Sequence, residues 1–184
     1  MSFFNEPKNA GFAMVIVGIL NVILAIVLIA LSAVDDPILW GTIIAGIGYL
    51  IGGFLYYKYG MNIREGAISQ KIDILAEFVK VVGIVYIING IFTLPSDIGT
   101  GVLNIILGLI ILFMAKKIND GRQTTIDKII WIILMVVFVI NLLAAIVMLI
   151  AFPVGTIMGI CWLVICVFMI MLLIDNDVKK EMGM

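Results

Sequence analysis

The chain has 184 residues, of which 64% are hydrophobic and only 12% are charged. A soluble domain of this length carries about a quarter charged residues, because its surface faces water. The formal net charge is −1, and Lys and Arg form no large cluster, so the charge balance argues against a nucleic-acid partner. The composition therefore predicts an integral membrane protein.

Six long apolar runs follow one another along the chain, each close to the ~20 residues that cross a ~30 Å hydrocarbon core. The first run, Gly11–Val34, is longer than the apolar region of a secretory signal, which has about 7–15 residues, so we expect it to be retained. The predicted helices are 10–34, 37–57, 72–94, 97–115, 128–152 and 154–174. We therefore predict an all-α membrane protein of six transmembrane helices, forming a single integral membrane domain over residues 1–184.

Proline and N-capping residues mark most of the predicted helix starts. Pro37 and Pro153 open the second and sixth helices, where a missing N–H group costs no hydrogen bond. The predicted N-capping residues are Asp36, Ser69, Asp97 and Thr125. These signals agree with the boundaries that the apolar runs suggest.

The distribution of basic residues predicts the orientation in the membrane. All eleven lie in the N-terminal segment, in the second and fourth connections with the helix starts that follow them, or in the C-terminal segment. They are Lys8, Lys58, Arg64, Lys71, Lys80, Lys116, Lys117, Arg122, Lys128, Lys179 and Lys180. The other three connections carry only the acidic residues Asp35, Asp36 and Asp97. By the positive-inside rule, both termini are expected on the cytoplasmic side of the cell membrane.

The sequence pattern of the six helices predicts three copies of one helical hairpin. Pro37, Pro95 and Pro153 are 58 residues apart each time, and a Gly-Thr pair follows each of them within five residues. The predicted repeats are approximately 8–58, 70–116 and 125–175. Because each unit has two spans, all copies point the same way. They would be related by a pseudo-threefold axis along the membrane normal, unlike inverted-repeat transporters.

Small residues recur at a spacing that suits helix contacts. Gly11, Gly18, Ala25 and Ser32 repeat every seven residues in the first helix. Such stripes let helix backbones approach closely in membranes, so we expect them to hold the bundle together. The alternative is that one stripe contacts a second copy of the chain, as a homo-oligomer, or a partner membrane protein.

The inventory of reactive groups argues against catalysis. The chain contains no histidine, which removes His-containing zinc sites, His-ligated haem and histidine general bases. Asp175 and Asp177 come nearest to a pair of Mg²⁺ ligands, and we expect them to be solvated residues at the end of the sixth helix. We therefore predict no enzyme activity, no catalytic residue, no metal and no cofactor.

Glu77 and Lys80 are the only charged residues expected within a span. They lie three residues apart in the third helix, so they share a face and can form an ion pair. Lys80 is close enough to the inner surface for its ammonium group to snorkel there. The alternative is a cytoplasm-facing ion-pair gate or substrate contact.

Four asparagines lie within the predicted spans: Asn21, Asn89, Asn104 and Asn141. Asn89 and Asn104 lie at similar depth on consecutive helices, so we expect a hydrogen bond between these helices. The alternative is a threefold ring of Asn21, Asn89 and Asn141 that lines a polar cavity. Trp162 lies deep in the sixth helix and could stack on a ligand, although packing is the expected role.

The glycine-punctuated segments Val17–Ile26 and Val82–Ile91 resemble the HdeD-type acid-resistance membrane proteins. The resemblance covers nearly the whole chain and rests on glycine spacing in apolar sequence. The third hairpin departs from it, since Met135 and Leu142 stand where glycines would be expected. The resemblance implies a non-enzymatic protein of repeated hairpins, linked to envelope or acid stress, with no site residues to carry over.

Two other functions stay open. A substrate-capturing subunit of an energy-coupling-factor transporter also has six helices in about this length, and it would bind a vitamin or metabolite and an ATPase partner. The short outer connections argue against a lid over such a pocket. A passive channel for neutral solutes along an Asn-lined axis is the third class. Ion pumping is disfavoured because no ionisable residue is expected at the midplane.

Overall fold

The computed structural model describes residues 6–34, 38–120 and 124–184 of the chain. These residues form seven α-helices and no β-strand. The helices are α1 (Pro7–Val34), α2 (Trp40–Arg64), α3 (Lys71–Thr93), α4 (Ile98–Ile118), α5 (Thr125–Met148), α6 (Val154–Ile174) and α7 (Asn176–Glu181). The first six are long and apolar enough to cross a membrane. The predicted all-α fold of six transmembrane helices is confirmed, and the chain is a multi-pass membrane protein.

The helix boundaries differ from the predicted ones mainly where tertiary packing extends a helix. Helix α2 runs to Arg64, well beyond the predicted end at 57. It continues because Gly60 packs on the backbone of Gly11 in α1 and Ile63 is fully buried. Helix α5 starts three residues and ends four residues earlier than predicted, and the short helix α7 had no sequence signal.

The capping residues agree only in part with those predicted. Asp97 is confirmed as the N-cap of α4, where its Oδ1 accepts a hydrogen bond from the Thr100 amide at 3.0 Å. The N-caps of α3 and α5 are Gln70 and Thr124, one residue from the predicted positions. The predicted features at Asp35, Asp36, Pro37 and Arg122 lie outside the described residues.

Consecutive helices pair as antiparallel hairpins through small residues. A Cβ atom added to Gly18 in α1 would lie 2.7 Å from the carbonyl oxygen of Gly53 in α2 and 2.6 Å from the amide nitrogen of Tyr57. Seven residues away on each helix, a Cβ atom added to Gly11 would lie 2.7 Å from the carbonyl oxygen of Gly60. The first stripe of small residues is therefore a contact inside the first hairpin.

The other two hairpins use the same kind of contact. A Cβ atom on Gly90 in α3 would lie 2.7 Å from the carbonyl oxygen of Gly101 in α4, and one on Gly108 would lie 2.7 Å from that of Gly83. In the third hairpin, a Cβ atom on Gly159 in α6 would lie 2.8 Å from the carbonyl oxygen of Ala145. Close backbone approach therefore occurs in every hairpin, with fewer small residues in the third.

The three hairpins close into one bundle in which α3 is the most enclosed helix. Helix α3 packs against α2, α4 and α6, while α6 also packs against α1. Helices α4 and α5 lie at the outside, and large apolar side chains such as Leu109 and Ile140 are exposed on them. This exposure suits helices whose outer faces contact lipid.

The bundle has two different halves. One half contains the start of α1, the end of α2, the start of α3, the end of α4, the start of α5 and helix α7, and we call it the terminal half. The other contains the opposite ends of α1 to α6, and we call it the hairpin half. The fully buried large side chains lie almost all in the terminal half, including Met14, Ile63, Phe78, Met169 and Leu173. The hairpin half contains a cavity instead.

Candidate ligand-binding cavity

A cavity of about 410 Å³ lies in the hairpin half. Helices α1, α2, α3, α4 and α6 line it, whereas α5 contributes no residue. The lining side chains are Asn21, Leu24, Leu28, Thr42, Ala45, Tyr49, Tyr56, Val85, Tyr86, Asn89, Thr93, Thr100, Asn104, Val154, Met158, Cys161, Trp162 and Ile165. Small-molecule sites in proteins occupy roughly 300–1,000 Å³, so this cavity has the size of a ligand site.

The chemistry of the lining is polar but uncharged. Ten of the side chains are Asn, Thr, Tyr or Trp, and none of the lining residues is Asp, Glu, Lys or Arg. A helix surface that only contacts lipid or another helix usually has few hydrogen-bonding side chains. The reason is that each polar group left without a partner in hydrocarbon costs several kcal/mol. The concentration of hydrogen-bonding groups therefore points to a site that receives a polar occupant.

Asn21 joins α1 to α6 at the wall of the cavity. The residue is 7% exposed. Its Nδ2 atom donates to the carbonyl oxygen of Val17 at 2.9 Å and to Cys161 Sγ at 3.8 Å. A bond to its own helix and a weak bond to a second helix hold the carboxamide in place, so Asn21 is a fixed part of the wall.

Asn89 and Asn104 border the same cavity but do not bond to each other. Asn89 Oδ1 is buried and has no hydrogen-bond partner. A Cβ atom on Gly48 would lie 3.2 Å from this oxygen, so the missing side chain of Gly48 makes room for the carboxamide against α2. The predicted Asn89–Asn104 bond is thus corrected: the close contact of α3 with α4 runs through Gly90 and Gly101, and Asn89 turns toward α2.

Asn141 lies apart from the other three asparagines. Its Nδ2 atom donates to the carbonyl oxygen of Val137 on its own helix at 2.8 Å, and it does not line the cavity. The predicted ring of Asn21, Asn89 and Asn141 is therefore not formed. The reason is that α5 packs on the outside of α6, so its residues do not reach the space between α1, α3 and α4.

Aromatic residues form the deeper part of the cavity. The rings of Tyr86 and Trp162 meet edge to face, with centroids 6.1 Å apart and an angle of 69° between the planes. Tyr56 is 3% exposed and Ile165 is 3% exposed, and beyond them the fully buried core of the terminal half begins. The cavity is therefore closed at its base.

The sequence predicted three of the polar residues but missed most of the aromatic ones. Tyr49 and Tyr56 are seven residues apart on α2, and Tyr86, Asn89 and Thr93 follow one another at intervals of three and four on α3. This spacing places each set on one face of its helix. A search for polar and aromatic residues on one face of an apolar helix would have found these stripes.

Glu77 and Lys80 form an ion pair, with Lys80 Nζ 3.2 Å from Glu77 Oε1. The ammonium group also lies 5.3 Å from the centre of the Tyr59 ring. The pair borders a smaller cavity of about 260 Å³ between α3 and α4, together with Lys116 and Asn119. It does not line the larger cavity, so Glu77 and Lys80 are separate from the polar site.

Asp175 is not the solvated residue that the sequence suggested. It is 8% exposed and its Oδ2 atom lies 2.8 Å from Lys71 Nζ, while Asp177 Oδ2 lies 2.9 Å from the same nitrogen. Asp175 also accepts a hydrogen bond from the Asp177 amide as the N-cap of α7. The two carboxylates therefore hold a lysine, and the described residues contain no group of three acidic or Cys side chains arranged to bind a metal.

Comparison of the chain with family models, with curated proteins and with solved structures found no match.

Proposed function

We propose that this multi-pass protein lies in the cell membrane and captures a small molecule in the cavity between α1, α2, α3, α4 and α6, without catalysing its conversion. The observation that carries the proposal is a 410 Å³ space walled by carboxamide, hydroxyl, phenol and indole groups within a bundle of long apolar helices. The non-catalytic role is supported by the lining, which offers no carboxylate or amine for acid–base chemistry.

The closed base favours capture over the channel that the sequence left open. A channel needs a continuous path through both halves. Phe78, Val79 and Met169 are at most 1% exposed in the terminal half, so a solute that reached Tyr56 would meet a packed core. Among the predicted alternatives, a capturing subunit of a transporter is thus the one that fits the geometry. Such a subunit would need an energy-supplying partner protein, whose identity is open.

The proposal includes the predicted orientation with both termini in the cytoplasm. In that orientation the hairpin half lies at the outer side of the membrane, and the cavity takes its ligand from outside the cell. The acidic N-cap Asp97 lies at that side, whereas Lys71, Lys116 and Lys117 lie at the ends of helices in the terminal half. This charge asymmetry supports the assignment.

The resemblance to HdeD-type proteins gives a second proposal for the cellular role. Close glycine contacts recur in the hairpins, at Gly18 with Gly53 and at Gly90 with Gly101, which supports a common origin of the first two hairpins. We therefore propose a role in envelope or acid stress as the setting of ligand capture. Because these glycines are used inside the hairpins, a homo-oligomer would need the outer faces of α4 and α5 instead.

Native mass spectrometry of the purified protein tests the capture proposal. We expect a bound small molecule, distinct from phospholipid, on the unmodified chain and on an Asn141→Leu variant, whose substituted residue lies outside the cavity. An Asn89→Leu variant should lose most of it, by roughly tenfold, since removing one buried hydrogen-bonding group costs about 1–3 kcal/mol. An unmodified chain that carries only lipid would contradict the proposal, as would equal loss in both variants.

A further inference from the structure

The cavity also indicates which chemical class of molecule it accepts, and this inference rests on the proposed capture function. Three properties of the lining decide the class: its charge, its aromatic content and its hydrogen-bonding groups. They vary independently among small molecules.

The lining excludes a charged ligand. None of its residues is charged, and the Glu77–Lys80 and Lys71–Asp175 pairs lie in other parts of the bundle. An ion that moves from water into such a site loses its hydration without gaining a counter-charge, which is strongly unfavourable. A neutral molecule meets no such penalty.

The aromatic side chains favour a planar ring. Tyr49, Tyr56, Tyr86 and Trp162 come from three helices and all border the same space. Tyr86 and Trp162 already adopt an edge-to-face arrangement, the geometry in which aromatic rings attract one another. A third ring in the cavity gains the same contacts, whereas a flexible aliphatic chain gains only burial.

The carboxamides favour a ligand with both donors and acceptors at its edge. Each Asn side chain offers an N–H₂ donor and a C=O acceptor, and three of them border the cavity. Asn89 Oδ1 is buried without a donor, which leaves a polar atom unsatisfied in the membrane. A ligand that carries an N–H group beside a carbonyl could bond to such carboxamides in both directions.

We infer that the cavity binds an uncharged, planar aromatic compound that carries an amide-like edge, such as an aromatic carboxamide or a lactam. The chain contains three tryptophans, and only Trp162 lines the cavity. A Trp40→Phe, Trp131→Phe variant therefore leaves Trp162 as the sole tryptophan, so selectively excited tryptophan fluorescence reports on the site. A Trp40→Phe, Trp162→Phe variant, with Trp131 as reporter, is the matched control.

The test titrates the Trp162 reporter with benzamide, benzoate and cyclohexanecarboxamide, which change the charge or the planarity of one scaffold. We expect benzamide to change the fluorescence saturably and to bind at least fivefold more tightly than the other two. Asn89→Leu should weaken benzamide binding by about tenfold, Asn141→Leu should leave it unchanged, and the Trp131 reporter should not respond.

The outcomes separate the ligand class from the capture function. Preferential binding of benzoate or of cyclohexanecarboxamide to the Trp162 reporter, sensitive to Asn89→Leu, would overturn the inferred class and leave capture standing. If none of the three compounds changes Trp162 fluorescence saturably, or if the Trp131 reporter responds equally, both the class and the binding site are overturned. Size-exclusion profiles that match the unmodified chain establish that each variant is folded.

Discussion

The contact of Lys71 with Asp175 and Asp177 shows how two similar carboxylates acquire different roles. The Asp175 side chain is 5% exposed, whereas that of Asp177 is 78% exposed, although both lie within 3 Å of Lys71 Nζ. An exposed ion pair contributes little because water screens it. A pair with a buried carboxylate is screened less, because water does not surround the acidic group. Asp175 should therefore anchor α7 to α3, and Asp177 should matter much less.

Neutralising each carboxylate separately tests this difference. We expect Asp175→Asn to lower the free energy of unfolding by about 1–3 kcal/mol and Asp177→Asn to lower it by less than about 1 kcal/mol. Asparagine keeps the N-capping oxygen of residue 175, so the substitution isolates the ion pair from the cap. Denaturant unfolding of both variants in one detergent measures the effect. Equal losses would show that burial of Asp175 is not what makes the pair stabilising.

Single residues of the site were only partly predictable from the sequence. Asn21 and Asn89 stood out because an amide side chain in an apolar helix either bonds to a neighbouring helix, as we expected, or lines a polar cavity. Asn141 looked identical by that criterion, and like Asn21 it bonds to its own helix, but it does not line the cavity. The distinction depends on which helices enclose a residue, and this is a property of the tertiary arrangement. The roles of Tyr86 and Trp162 in the cavity were harder to predict, because aromatic residues are also common in packed cores.

Within the helices, the positions of small residues in the sequence predicted where two helix backbones approach each other closely. The stripe containing Gly11, Gly18 and Ala25 indicated a close contact, but not its partner. The structure assigns the partner as the next helix in the chain, through Gly53 and Gly60. Short connections bring consecutive helices together, which explains why the local pairing is the observed one.

A pair of glycine substitutions tests the contribution of this contact. In Gly18→Ala the added Cβ atom would lie 2.7 Å from the Gly53 carbonyl oxygen, so α1 and α2 must move apart. In Gly99→Ala the nearest neighbour is Asp97 Oδ1 at 3.4 Å, an ordinary contact. Alanine is favoured over glycine by about 1 kcal/mol in a helix interior, where Gly18 lies.

We therefore expect only Gly18→Ala to destabilise the protein. Gly18→Ala should lower the free energy of unfolding by about 1–3 kcal/mol, as for other overpacked sites. Gly99→Ala should leave it unchanged or raise it slightly. The measurement is the unfolding temperature of the two purified variants in the same detergent. A Gly18→Ala protein as stable as Gly99→Ala would mean that the two helices can separate without cost.

For the whole molecule, the difference between its two halves could not be predicted from helix patterns. All six helices are apolar along their length, and the predicted repeat implied three equivalent units around an axis. The structure instead surrounds the cavity with five helices and leaves α5 outside. Which helix lies at the periphery depends on long-range contacts, such as α1 with α6, that no local sequence pattern specifies.

The side of the membrane on which the cavity opens depends on the orientation of the whole bundle. Labelling of single cysteines measures this orientation. Cys161 and Cys166 are both buried, and a Cys161→Ala, Cys166→Ala background removes them. Ser96 and Gln70 are exposed at opposite ends of α3, so each can be replaced by cysteine as a reporter of one side.

We expect a membrane-impermeant maleimide to label Ser96→Cys on intact cells and to label Gln70→Cys only after the cells are opened. This follows from the positive-inside rule, because the basic residues that the structure describes lie at the Gln70 end of the bundle. Labelling of Gln70→Cys alone on intact cells would reverse the topology. The closed base of the cavity would then face outward, and a molecule could enter only from the cytoplasm, so capture would serve retention or export instead of uptake.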